Sequence, residues 1–162
     1  MRRGQEPRFE YLKEKKLVGI SISMSIINNK TSDLWFTFMP IKSQIPFPVS
    51  ADLFSMQIYP KEYFQLFNPA NYFVKWAATE VVEFGDIPEI FSKITIPEGM
   101  YAVFIHRGAN TNTDTFEYIF REWLPQSGYQ LDNRPHFEIL GDKYKNNDLN
   151  SEEEVWIPVL KC

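Results

Sequence analysis

Near the end of the chain three consecutive carboxylates, Glu152, Glu153 and Glu154, run into the apolar stretch Val155, Trp156, Ile157, Pro158 and Val159. A carboxylate beside aromatic faces can hold an organic cation by charge pairing together with cation–π attraction, the latter worth roughly 0.5 to 2 kcal/mol. If the stretch is a strand, alternation sets Glu152, Glu154, Trp156 and Pro158 on one face and Glu153, Val155, Ile157 and Val159 on the other. Glu154 then sits either with Trp156, opposite a Val and Ile core, or turned inward to a cleft where alternation breaks at the start of the strand. A solvated acidic turn before the strand is the plainer alternative.

Other chemistries find less to work with. His106 and His136 stand about thirty residues apart with no Cys or carboxylate at ligand spacing, so no metal site is expected and each reads as a strand-end histidine with a local hydrogen bond. Ser21, Ser23 and Ser25 alternate with apolar residues, and none lies in a Gly-x-Ser-x-Gly elbow. The seven glycines form neither GxGxxG nor GxxxxGK[ST], so no phosphate loop is present. No catalytic residue, metal or cofactor is assigned.

The elements that must position these groups come from periodicity. Leu17 to Ile27 alternates apolar with small polar residues, with Val18, Ile20, Ile22, Met24 and Ile26 on one face, and reads as a strand. Thr31 or Ser32 can cap a helix bearing Leu34, Trp35, Phe38, Ile41 and Ile45, which Pro40 bends or ends. Leu53 to Tyr59 and Tyr72 to Val82 read as strands, and residues 83–92 as a crossover. The order then restarts: a strand over 100–106, a helix with Phe116, Ile119, Phe120, Trp123 and Leu124 on one face, and strands over 136–140 and 153–159. Pro158 in the last one suits an edge or a strand end. Trp123 is expected to pack beneath the sheet.

This order predicts an α+β domain made of a duplicated β-α-β-β unit with pseudo-two-fold symmetry. Antiparallel sheets would carry helices on one face and a central ligand groove between them. The whole chain, 1–162, reads as one domain, with repeats at about 9–82 and 96–161 and the crossover at 83–95. Fourteen Phe, eight Tyr and four Trp exceed what a core of this size needs, so some are expected to line a surface or cavity. The single Cys, Cys162, excludes an intrachain disulfide and suits a reducing compartment. No apolar run reaches a membrane span of roughly 18 residues and no signal peptide is visible, so a cytoplasmic protein without a membrane partner is expected. The formal net charge, 17 − 21 = −4, argues against direct nucleic-acid binding, although residues 1–30 carry seven Lys or Arg against three Glu.

Several strings in order carry a family resemblance: YFVKWAATEV at 72–81, IPEGMYAVFIHRG at 96–108, YIFREWLPQSGY at 118–129, FEIL at 137–140 and EEEVWIPV at 152–159. With DLWFTFMP at 33–40 as a first helix, the chain from about Phe9 to Lys161 resembles the GyrI-like small-molecule-binding domain. This is the effector-binding domain of AraC- and MerR-type multidrug-sensing transcription activators, which also occurs free-standing, including in bacterial mobile gene cassettes.

The resemblance implies a duplicated β-α-β-β fold whose groove takes amphipathic or cationic aromatic compounds for drug sensing or sequestration. The acid of the last strand falls on Glu154, then Glu152. The matching aromatics are Trp35, Phe38, Tyr59, Trp76, Tyr101 and Trp156, with core packing expected for at least half of them. No room is left for a helix-turn-helix domain, so a stand-alone binder is expected, a monomer or homodimer with a possible protein partner. Two other branches of the family offer alternatives: a hydrolase pairing Glu154 with Tyr101 or Tyr118, and a gyrase-inhibitor-like interaction module.

Overall fold

The computed structural model describes residues 5–109, 112–146 and 148–162. In chain order the elements are β1 (Arg8–Leu12), β2 (Lys15–Met24), α1 (Thr31–Phe38), β3 (Leu53–Ile58), β4 (Phe73–Val81), β5 (Ser92–Ile96) and β6 (Gly99–Arg107). Next comes α2 (Asp114–Tyr118), which continues through a π turn, Ile119–Trp123, into α3 (Leu124–Gln126). The chain ends with β7 (Tyr129–Leu131), β8 (His136–Leu140) and β9 (Glu152–Lys161). The strands form one antiparallel sheet in the order β1-β6-β9-β8-β3-β4-β2-β5, with β7 paired to β9. This is the expected α+β class.

Periodicity misses the two edge strands and the three-residue β7. β1 is exposed along four of its five residues, and β5 along three of five, so neither shows an apolar face. Their stability comes from backbone ladders to β6 and β2. β9, by contrast, lies inside the sheet, so Pro158 is in neither an edge strand nor a strand end. The β8 ladder stops at Trp156 and β7 begins opposite Val159, leaving Pro158 at a gap between the two ladders on that side.

Two short links give the sheet its shape. Lys13 and Glu14 join edge strand β1 to β2, and Pro97 and Glu98 join edge strand β5 to β6. Three Cα steps span about 11 Å at most, so strands from opposite ends of the sheet approach one another and the sheet curls. Its inner face closes on a core of Leu17, Phe54, Met56, Trp76, Tyr101, Phe137 and Trp156 that includes no helical residue. Trp156 stacks on Phe137 there, with centroids 5.4 Å apart and planes at 15°.

Helices cover the outer face. α1 buries Leu34 and Phe38 against Val18, Ala77 and Val81. The second helix buries Ile119 and Trp123 against Ala102, Phe104, Val155 and Ile157. Trp123 meets Phe104 edge-on at 5.1 Å, in the role expected of it. α1 opens without a side-chain bond from Thr31 or Ser32; instead the Asn29 side chain accepts from the Thr31 N–H at 2.9 Å. It ends before Pro40, whose ring lacks the amide donor a longer helix needs.

Candidate functional site

Facing residues of antiparallel strands share a side of the sheet. One outer-face row therefore runs Ile20, Ala77, Ser55, Glu138, Val155, Phe104 across six strands. Its ends belong to the two helix-covered clusters, while its middle, on β3 and β8, is polar. The next row brings Lys75, Gln57 and His136 together. Glu153 lies two residues before Val155, so it projects on this outer side as well.

Glu138 is the centre of the cluster. Its side chain is about as buried as that of Lys75, 10% and 8% exposed, and the Lys75 ammonium stands 3.9 Å away. The Gln57 amide donates to Glu138 Oε1 at 3.2 Å, and Ser55 faces Glu138 across the β3–β8 ladder. Burial pushes the Glu138 carboxyl up and the Lys75 ammonium down, and their mutual attraction opposes both shifts. Burial, followed by the neighbouring Glu138 charge, pushes Glu153 from 4.5 up to about 8. Two carboxyls and one ammonium in a dry site cannot all be charged cheaply, and Glu138 has the closer donors. Of the two acids, Glu153 has its carboxyl raised to about 8.

Aromatic rings enclose His136, two residues before Glu138 on β8. Tyr59, Phe64 and Phe120 surround His136 at centroid distances of 4.9, 5.5 and 6.2 Å. Phe64, from the β3–β4 connection, stacks on Phe120, from the second helix, at 5.0 Å. Burial, with Arg134 adding to it, drives His136 down to about 3, so its ring is neutral. Burial and then the Glu138 charge raise the Tyr59 phenol, and Tyr144 is raised likewise by burial and Glu153. His106 is satisfied locally: one ring nitrogen, Nε2, donates to the Ala109 carbonyl at 3.0 Å, and Nδ1 accepts from the Thr115 hydroxyl at 2.8 Å. Among the described residues no group of three or more His, Cys, Asp or Glu could hold a metal, and no helix is long and apolar enough to cross a membrane.

The GyrI-like small molecule binding domain model matches residues 5–160. The chain belongs to this family. The GyrI-like domain also shares its fold with solved structures of low sequence identity. SAV2435 bound to tetraphenylphosphonium superposes with a TM-score of 0.76 at 16% identity, over 96% of this chain and 94% of that one. EcmrR, from its complex with DNA, gives 0.73 at 18% identity over 97% of this chain and 58% of its own. A hydrolase from Listeria innocua gives 0.62 at 13% over 96% and 92%. No protein of curated function matches the chain in sequence.

Of the residues the resemblance pointed to, Tyr59 alone touches the GyrI-like domain's polar cluster. Glu154 lies in the inner-face row Ala78, Phe54, Ile139, Glu154, Ile105. It accepts from Arg8 at 2.9 Å and from the Trp156 indole at 3.0 Å. Glu152 pairs with Arg107 at 3.6 Å near the sheet rim. Trp76, Tyr101 and Trp156 are inner-face core, and the Tyr101 hydroxyl donates to the Pro135 carbonyl. Phe38 is fully buried under α1 and Trp35 packs edge-on against it. Neither tyrosine considered with Glu154 meets it: Tyr101 is four residues along β6 from Glu154's partner Ile105, about 13 Å, and the Tyr118 hydroxyl donates to Gln5. The signals that could have found Glu138 and Lys75 are single charges inside otherwise apolar strands, HFEIL and FVKWAA.

Proposed function

We propose that the domain binds an amphipathic aromatic cation in a groove between α1 and the second helix, for sensing or sequestration. On this reading the domain is two β-α-β-β units, at about 9–82 and 96–161, related by a pseudo-two-fold axis between β3 and β8. The strand order supports it, since β1, β6, β9 and β8 mirror β5, β2, β4 and β3. The observation that carries the function is the buried Glu138, balanced by a single ammonium and backed by a second carboxyl, with Tyr59, Phe64 and Phe120 around His136 two residues away on β8. The tetraphenylphosphonium held by SAV2435 is a ligand of this chemical type. A cation arriving between Glu138 and Glu153 replaces the Glu153 proton, so the cluster stays neutral with the ligand bound. The Phe64 and Phe120 rings part to admit it and then supply cation–π faces.

Thermal shift and calorimetry with aromatic organic cations test this reading. Saturable stabilisation that a neutral isostere does not reproduce is expected; no stabilisation by any cation near a millimolar would sink it. A second reading rests on Glu153 itself: a carboxyl titrating at about 8, next to Tyr144, has the pKa of a general acid or base. That reading makes the domain a hydrolase, and turnover of a reactive electrophile that disappears in Glu153→Gln would favour it.

A further inference from the structure

On the outer face beside β1, away from Glu138, a cavity of about 510 Å³ opens between the N-terminal arm, the second helix and the start of β7. The arm is pinned there. The Gln5 side-chain amide makes two hydrogen bonds to the Ile105 backbone, both 2.9 Å, and the Gln5 carbonyl accepts from the Tyr118 hydroxyl at 3.0 Å. This sets Glu6 in the cavity lining, to which the helix contributes Glu122.

Three rings also line the cavity. Phe9 stacks on Tyr129 with centroids 4.8 Å apart, and Trp123 stands 6.2 Å from Phe9 and 6.3 Å from Tyr129. Phe9 is 42% exposed, so the cluster presents an aromatic face to solvent. No Lys or Arg lines the cavity, and among the described residues neither Glu6 nor Glu122 makes an ion pair. Burial raises the Tyr118 phenol, and the charges of both carboxylates raise it further, so the two negative fields converge on this spot.

We propose that this cavity is a second binding site, separate from the Glu138 cluster, for a quaternary ammonium or similar organic cation. The chemistry selects that class. Aromatic faces attract a cation without offering hydrogen-bond acceptors, so a weakly hydrated cation with an apolar shell loses least on entering. Two carboxylates in the lining then add charge attraction.

The probe is choline, compared with its neutral isostere in which carbon replaces the nitrogen. The readout is the indole N–H resonance of Trp123, assigned by its loss in Trp123→Phe. Choline is expected to shift this resonance saturably in the millimolar range, and the isostere is not. In the Glu6→Gln/Glu122→Gln double variant the midpoint should rise about tenfold, and Phe9→Ala should weaken binding in the same direction. No shift of the Trp123 signal up to tens of millimolar, an equal response to the isostere, or an unchanged midpoint in the double variant would overturn the proposal.

Discussion

Glu153 and Glu154 are neighbours in sequence and have opposite surroundings. Glu154 points to the inner face, where Arg8 and the Trp156 indole satisfy it. Glu153 points to the outer face, toward a buried acid and a single lysine, and holds its proton to about pH 8. The difference teaches that a carboxylate's usefulness to a ligand depends on what already neutralises it. A paired acid gains little from an incoming cation, whereas an acid kept protonated by its neighbours gains a full charge interaction when the cation displaces the proton.

The largest expected effect removes the resident cation of the outer cluster. Lys75→Met leaves Glu138 buried without its ammonium and should cost about 3 to 5 kcal/mol in urea unfolding at neutral pH. It should also tighten binding of an aromatic cation, which then has no competitor. A cost under about 1 kcal/mol would mean that Glu138, not Glu153, carries the proton, which would redraw the comparison.

Next in size is Glu138→Gln, which keeps shape and removes charge. Binding of an aromatic cation should weaken by about 1.5 to 3 kcal/mol, with a neutral isostere unaffected. Equal losses for both ligands in calorimetry would mean that the site selects by shape, and the contrast between the two faces would lose its electrostatic basis.

Glu153→Gln sharpens the comparison through pH. The folded-state pKa of about 8 lies above the ordinary 4.5, so the folded protein binds an extra proton between those values. Wild-type stability should therefore fall relative to the variant as pH rises from about 4.5 to about 8 and stay level above that. Cation affinity of the wild type should rise over the upper part of that range, because binding releases the Glu153 proton, and the variant should lose this slope. Parallel stability curves for the two proteins would place Glu153 in ordinary solvent.

Glu154→Gln should do least. The Arg8 pair is partly exposed, with side chains 46% and 34% accessible, so its loss should cost about 0.2 to 1 kcal/mol. Cation binding should not change. A selective loss of cation affinity here, exceeding that of Glu138→Gln, would move the site to the inner face.

The same contrast marks what was legible in the chain. Alternation in LVGISISM discloses β2, the apolar runs in YFVKWAATEV and MYAVFIH disclose β4 and β6, and the split between Glu153 and Glu154 follows from strand period alone. β1 and β5 escaped because an edge strand without an apolar face has only its backbone ladder as a signal, and backbone groups are the same in every sequence. Three of the aromatics singled out, Trp76, Tyr101 and Trp156, proved to be inner core, because a ring looks identical in sequence whether it faces a closed core or a ligand.

Residue order and period by themselves determined the class of fold and which side chains share a face of each strand. These are local properties, since every strand alternates with period two whatever its neighbours. The tertiary structure decided which of the two faces is closed by curling and which is covered by helices. It also decided that Ser55, Glu138 and Val155, from three strands, fall in one row with Lys75 at 3.9 Å from the acid. That arrangement depends on the register of β3 against β8, which pairs residues 79 to 87 positions apart. Pairing at that distance is set by the packing of both clusters at once, and no local pattern carries it.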